Sequence, residues 1–275
     1  MNETIAFIGA GNMARSLIGG LIADGWNEDA LWAADPETTQ RQEAQGRWPG
    51  MHTTGDGAEA VAHADVVVLA VKPQVLGEVC RALAPAVQSR RPLVVSIAAG
   101  VRGDDIERWL GGTLALVRCM PNTPALVGSG ATALVANAHV TAEQRDLAES
   151  ILRAVGLTAW LEDEAQLDAV TALSGSGPAY GFLLIEAMEN AGTDLGLPRE
   201  TARLLALQTV FGAAKLALES DEDAATLRAR VTSRGGTTEQ ALAVLESGGL
   251  RDLMLRAMTA ARDRSRELAD QLGRD

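Results

Sequence analysis

The stretch from Thr4 to Ala14 constrains this chain more than any other. A short β-branched and aromatic run, Thr4 to Ile8, meets Gly9-Ala10-Gly11-Asn12-Met13-Ala14, and a helical pattern follows from Ser16 to Ala23. Strand, tight glycine turn and helix in that order, with an acidic residue, Asp35, about 20 positions further on, make the fingerprint of a dinucleotide-binding βαβ unit. The chemistry needs those residue types. Glycines let the backbone approach a pyrophosphate, and the N–H groups at the helix entry, in the stretch Ala10, Gly11, Asn12 and Met13, meet its charge. Asp35 closes the second strand-like run, Leu31 to Ala34; it either hydrogen-bonds an adenosine ribose or caps the helix after Pro36, which leaves the choice between NAD and NADP open at this point. Arg41, the nearest downstream arginine, reads as a solvated helix residue.

The rest of the N-terminal half extends the same plan. Val66 to Val71 and Leu93 to Ala98 are apolar without alternation, as strands covered by helices on both faces are. Further strand-like runs stand at Leu114 to Val117, Thr132 to Val135 and Thr158 to Leu161, with a helix from Ala142 to Val155 between the last two. From Glu164 onward the strand signals stop and the apolar period becomes helical. Pro178 and Pro198 mark first helical turns, and apolar residues recur through Phe182, Ile185 and Met188 and through Leu204, Leu207 and Phe211. The expected fold class is therefore α/β: a doubly wound, mostly parallel Rossmann domain at 1–163, joined to an all-α domain at 164–275. Leu250, Leu253, Met254, Ala257, Met258, Ala261 and Leu268 form one stripe, which predicts a final helix with one buried face. The segment Leu204 to Leu218 is apolar around much of its circumference, so it must be buried centrally or against a second subunit. Dimerisation through this domain is the expectation.

Composition excludes several classes. Of 275 residues 47% are hydrophobic, enough to bury a substantial core. The net charge is −12 and the only lysines are Lys72 and Lys215, which disfavours a nucleic-acid partner. No run of about 18 apolar residues is present, so no membrane-spanning helix is expected. A charged segment followed by an apolar run and a cleavage site is not seen at the N-terminus, and a cytoplasmic location is the expectation. Cys80 and Cys119 read as buried thiols, and no metal site is expected.

Candidate binding residues gather where strands end. Ala70-Val71-Lys72 closes one buried run at the carboxyl edge of the sheet, where ligands of such sheets lie. Lys72 is placed there either as a cofactor contact or as a simply exposed residue. The segments Ser96 to Gly100, which contains Ala98, and Met120 to Pro124, which contains Asn122, end later strands, and their small residues leave room for a nicotinamide. In the C-terminal half, Ser233-Arg234-Gly235-Gly236-Thr237-Thr238 leads into a helix from Glu239 to Glu246. Thr237 and Gln240 are spaced as a capping box. The segment is either a capped helix start or a ring of N–H and O–H donors suited to a carboxylate. Leu173 to Tyr180 is a second small-residue helix entry.

These motifs together resemble the pyrroline-5-carboxylate reductase family. The resemblance runs nearly end to end, through FIGAGNMA (Phe7 to Ala14), AVKPQ (Ala70 to Gln74), MPNTP (Met120 to Pro124), LSGSGPAY (Leu173 to Tyr180) and SRGGTT (Ser233 to Thr238). It implies reduction of 1-pyrroline-5-carboxylate to proline, with NADP(H) as the cofactor favoured and NAD(H) the alternative. It also implies interlocked dimers that assemble into decamers, and substrate contacts at Glu164, Gly236, Thr237 and Thr238, the last placed against the ring nitrogen. Ser233 and Gly235 complete the donor loop. Two positions depart from the family pattern: Arg234 stands where proline is usual, which bears on the rigidity of the loop, and Gly57 where many members have a cofactor-contacting asparagine. His52, His63 and His139 all lie in the first domain, so a conventional proton donor is scarce. A protonated cyclic imine is already electrophilic and needs mainly orientation, which makes Thr238 an orienting residue rather than a strong acid. Two other readings are a β-hydroxyacid dehydrogenase, whose family needs a lysine that the helix Ala179 to Asp194 lacks, and a non-catalytic dinucleotide sensor, against which the intact SRGGTT loop argues.

Overall fold

Strand β1 (Ile5–Ile8) shows why the sheet forms as it does: all four side chains are buried, Ile5 and Phe7 on one face, Ala6 and Ile8 on the other. The computed structural model, which describes residues 3–273, places β1 third in an eight-stranded sheet, with strands on both sides of it. The other strands are β2 (Leu31–Ala34), β3 (His52–Thr54), β4 (Val66–Leu69), β5 (Leu93–Ser96), β6 (Leu116–Met120), β7 (Gly130–Ala136) and β8 (Gly156–Trp160). Their order is β3-β2-β1-β4-β5-β6-β7-β8, and every neighbouring pair is parallel except β6 with β7.

Helices cover both faces. On one, Leu17, Ile18 and Leu21 of α1 (Asn12–Ala23) and Ile151 and Leu152 of α6 (Ala142–Arg153) pack with Ile5 and Phe7. On the other, Val61 of α3 (Gly57–His63), Leu76 and Leu83 of α4 (Pro73–Arg90) and Ile106 of α5 (Gly103–Trp109) pack with Ala6 and Ile8. Each such side chain contributes about 1.5–3 kcal/mol on burial, and this two-sided burial is what an unalternating apolar strand requires. α2 (Thr38–Arg47) connects β2 to β3. Because β2 and β4 leave β1 on opposite sides, the crevice beyond the carboxyl end of β1 is the topological switch point.

The details differ from the sequence reading in places. α1 starts at Asn12 rather than Ser16. β3, three polar-leaning residues, carries no hydrophobic signal and goes unseen in the pattern. β6 starts two residues later than expected and continues three residues past Val117 to Met120, taking in Arg118, a charge inside an otherwise apolar run. The sheet ends at Trp160, close to the expected boundary at 163. The chain's compact units, however, divide after Ser176: α7 (Gln166–Val170) and the π-helical turn Thr171–Gly175 belong with the sheet, as does the stretch from Ala260 onward.

The second unit, Gly177–Thr259, is helical. It contains α8 (Gly177–Asp194), α9 (Arg199–Glu219), α10 (Ala224–Arg230), α11 (Thr237–Ser247) and the beginning of α12 (Leu250–Leu272). Small residues bring α8 and α9 together: a Cβ at Gly192 would stand 3.2 Å from that of Ala202. Among the described residues of this unit only Ala202 and Ala206 are buried, while Phe182 and Leu204 are 67% exposed. The single chain thus leaves the apolar α9 uncovered. α12 departs from its expectation of one buried face. Leu250, Leu253 and Met254 are exposed, and only Ser265 and Ala269, in the part that packs with the first unit, are buried. The apolar stripe is real, but its N-terminal half finds no partner within one chain. Among the described residues no helix is long and apolar enough to cross a membrane.

Candidate active site

The site begins at the turn after β1. Gly9 takes φ +98°, open to glycine at little cost, and its N–H donates to the Ala34 carbonyl at 2.8 Å. A Cβ here would come 2.8 Å from the Ala70 carbonyl oxygen, so β1, β2 and β4 converge on a position that tolerates no side chain. Gly11 is the N-cap of α1 and offers no side-chain cap to the N–H groups of the first turn; a Cβ on it would meet nothing within 4 Å. Free donors and open space at a helix start fit a pyrophosphate. Met13 is half-buried, and Asn12 is exposed with its Oδ1 accepting from Arg15 at 2.7 Å. Ala70 and Val71 stand beside Gly9, and Lys72, exposed, is the N-cap of α4.

Asp35 stands just beyond β2. Its Oδ2 accepts the Ala10 N–H and its Oδ1 the Glu37 N–H, both at 2.9 Å. The carboxylate thereby ties the glycine loop to the end of β2, and the N-cap of α2 is Glu37, not Asp35. Arg41 is not simply solvated. Its Nη1 donates to the carbonyls of Asp35 and Pro36 at 2.6 and 2.9 Å, and its Nη2 donates to Thr38 Oγ1 at 3.0 Å. Ala98 is buried where β5 ends. The Asn122 side chain is committed to the protein: Oδ1 accepts the Ala131 N–H at 2.8 Å and Nδ2 donates to the Ser174 carbonyl at 3.2 Å.

Glu164 lies in the first unit. Its Oε1 accepts from the Gly103 N–H at 2.7 Å, at the start of α5, and from Arg118 Nη1 at 2.6 Å. Arg118 has only 11% of its side chain exposed, so a strand interior carries a charge because a carboxylate meets it there. Arg118 belongs to no sequence motif, and the charge within LVRCM is its one signal in the chain. Asp56 was missed as well. It caps α3 by accepting the Ala58 N–H at 2.9 Å, and it lines the cavity beside Gly9 and Asp35.

In the second unit, Ser233 to Gly236 form a four-residue turn in which the Gly236 N–H donates to the Ser233 carbonyl at 3.0 Å. Gly235, its third residue, takes φ +72°, the position where a type II turn needs glycine. Arg234 fills the second position, where proline is favoured. The expected capping box is absent: Gly236 is the N-cap, Thr237 is already the first helical residue, and Glu239 instead accepts the Gly235 N–H at 2.7 Å. No side chain caps the first turn of α11, so its N–H donors and the half-buried Thr238 are free for an anion. Both cysteines are buried and unpaired; burial pushes the Cys80 thiol up to about 12 and the Cys119 thiol higher still, which removes them as nucleophiles. Among the described residues no cluster could hold a metal ion.

A Rossmann sheet with a free glycine cradle at its switch point, joined to a helical unit, defines a nicotinamide-dinucleotide oxidoreductase. Residues 164–268 match the model for pyrroline-5-carboxylate reductase dimerisation, and residues 4–100 match that for NADP oxidoreductase, coenzyme F420-dependent. A pyrroline-5-carboxylate reductase of Pseudomonas aeruginosa is 55% identical over 269 residues, covering 98% of each chain. The solved structure of such a reductase from Coxiella burnetii superposes with a TM-score of 0.94 at 48% identity, covering 98% of this chain and 99% of that one. A Plasmodium falciparum pyrroline carboxylate reductase with NADP bound superposes at 0.85 with 30% identity, covering 98% of each. The chain belongs to the pyrroline-5-carboxylate reductase family.

Proposed function

We propose that the protein reduces the C=N bond of 1-pyrroline-5-carboxylate to give L-proline, the last step of proline biosynthesis. The observation that carries the reading is the start of α11: an 11-residue helix without a side-chain cap, entered through a glycine turn and flanked by hydroxyls. Its N–H groups, those of Thr237 and Thr238 foremost, hold the substrate carboxylate, with Ser233, Gly235 and Gly236 shaping the turn that leads to them. Thr238 Oγ1 orients the ring nitrogen. Glu164, held in place by Arg118 and the Gly103 N–H, complements the positive charge of the protonated imine. A nicotinamide dinucleotide held by Gly9, Ala10, Gly11, Asn12 and Met13 supplies the hydride, with Asp35, Ala70, Val71, Lys72, Ala98 and Asn122 lining its path along the strand ends.

The reacting carbon gains hydride while the nitrogen retains its proton, so no strong side-chain acid is needed. A lysine base of the β-hydroxyacid dehydrogenase kind has no residue to provide it, since α8 contains no lysine. The uncovered apolar residues of α8, α9 and α12 support a homodimer, and the decamer is our proposal for the assembly of those dimers, in the cytoplasm. Purified protein given pyrroline-5-carboxylate with NADPH and, in parallel, NADH tests the reading. Loss of dihydronicotinamide absorbance with equimolar proline is expected; no turnover with either dinucleotide overturns it.

A further inference from the structure

We infer that this chain selects NADH over NADPH, and that the carboxylates of Asp35 and Asp56 set the preference; the inference rests on Gly9 to Ala14 being the dinucleotide site. It inverts the cofactor order that the family resemblance implies.

The argument starts from where β2 ends. The Gly9 N–H bond to Ala34 fixes the next residue, Asp35, beside the glycine turn, and the Ala10 N–H holds its Oδ2 there. A carboxylate offers about four acceptor sites, and two are used, by Ala10 and Glu37. Acceptors remain on both oxygens. A ribose diol brings two O–H donors to such a group, whereas a 2′-phosphate brings acceptors and negative charge.

The surrounding cavity points the same way. A space of about 190 Å³ opens beside Asp35, with an apolar wall from Val71, Val79 and Leu83 suited to an adenine face. Its ionisable lining residues are Asp35 and Asp56, and no cation lines it among the described residues. Arg41 stands near the rim. A Cβ on Gly55 would lie 3.5 Å from its Nη1, and its guanidinium is committed to the Asp35 and Pro36 carbonyls and Thr38 Oγ1. Glu37, next but one after Asp35, adds a further acidic side chain to this turn. A doubly charged phosphate about 6 Å from even one carboxylate, in water-like surroundings, is disfavoured about tenfold.

Calorimetric titration of the protein with NADH, NADPH, 5′-AMP and adenosine 2′,5′-bisphosphate reads this without turnover. NADH and AMP should bind at least about tenfold more tightly than their 2′-phosphorylated counterparts. Asp35→Asn should narrow the gap by strengthening NADPH. Asp56→Asn, which keeps the helix cap, should do the same in smaller measure; if Asp35→Asn disrupts the glycine turn and binds neither dinucleotide, an unchanged NADPH affinity in Asp56→Asn overturns the proposal. Arg41→Ala should alter both affinities alike, and a selective loss of NADPH there assigns the 2′-phosphate to Arg41 and refutes the inference. Equal binding of both dinucleotides to the wild type refutes the preference alone; binding of neither removes the dinucleotide site as well.

Discussion

Gly11→Ala separates folding from cofactor binding at a single methyl group. At φ −71° and ψ −175° the backbone of Gly11 suits any residue, and the new Cβ meets no protein atom within 4 Å. Removing glycine freedom from the unfolded chain stabilises by about 0.4–1 kcal/mol. Alanine is a poorer N-cap than glycine by a similar amount, roughly 0.5–1 kcal/mol, so the two terms nearly cancel. The melting temperature should stay within about 3 °C of wild type. Binding is another matter, because the methyl group occupies the space a pyrophosphate needs. Loss of one or two charge-assisted N–H contacts, about 1.5–3 kcal/mol each, weakens the dinucleotide about 10-fold or more. Gly9→Ala is the control. There the φ of +98° costs about 1–3 kcal/mol for a side chain, and the Cβ lies against the Ala70 carbonyl, so stability falls by more than about 5 °C. Thermal melts and calorimetric titration measure both quantities. Wild-type affinity in Gly11→Ala, or a stability loss matching that of Gly9→Ala, refutes the reasoning.

Three further outcomes are expected. Thr238→Ala should lower kcat/KM about 10- to 100-fold, the worth of one hydrogen bond to a charged group, while Thr238→Ser retains most activity and neither shifts the pH profile; steady-state kinetics decide this. Arg234→Pro should stabilise the protein by about 0.4–1 kcal/mol, because the second position of the Ser233–Gly236 turn accepts the φ that proline fixes; a denaturant midpoint that falls instead contradicts the turn assignment. Glu149 is held below its ordinary value of 4.5, chiefly by the hydrogen bond from the Trp160 indole at 2.9 Å, with desolvation opposing and Arg153 and Thr158 assisting. A lowered carboxylate pKa contributes stability above the unfolded value that disappears as pH falls through the folded one. Melts between about pH 6 and pH 3 should therefore show a decline that Glu149→Gln makes shallower.

The parts of the molecule legible from the chain alone are those governed by local pattern. The β1 strand, its glycine turn and the unalternating runs at Val66 and Leu93 announce themselves because both faces of a parallel strand are buried. What escaped the reading depends on pairing across long sequence separations. Arg118 gains its meaning only when Glu164, distant in the chain, meets it, and Asp56 looks like an ordinary helix cap until the fold sets it beside Asp35. The capping box failed for a local reason: Thr237 and Gln240 have the right spacing, but Gly235 with positive φ shifts the helix start so that Gly236 takes the cap. The last helix failed for a global one. Its apolar stripe satisfies the helical period, yet periodicity does not say whether the covering surface belongs to the same chain.

The central claim is that hydride passes from a dinucleotide in this cleft to the imine carbon of pyrroline-5-carboxylate. Turnover with NADH or NADPH deuterated at the transferred position, followed by mass spectrometry of the proline, tests it directly. The account predicts proline carrying a single deuterium on the ring carbon that was double-bonded to nitrogen. Unlabelled proline, or label at any other carbon, contradicts it.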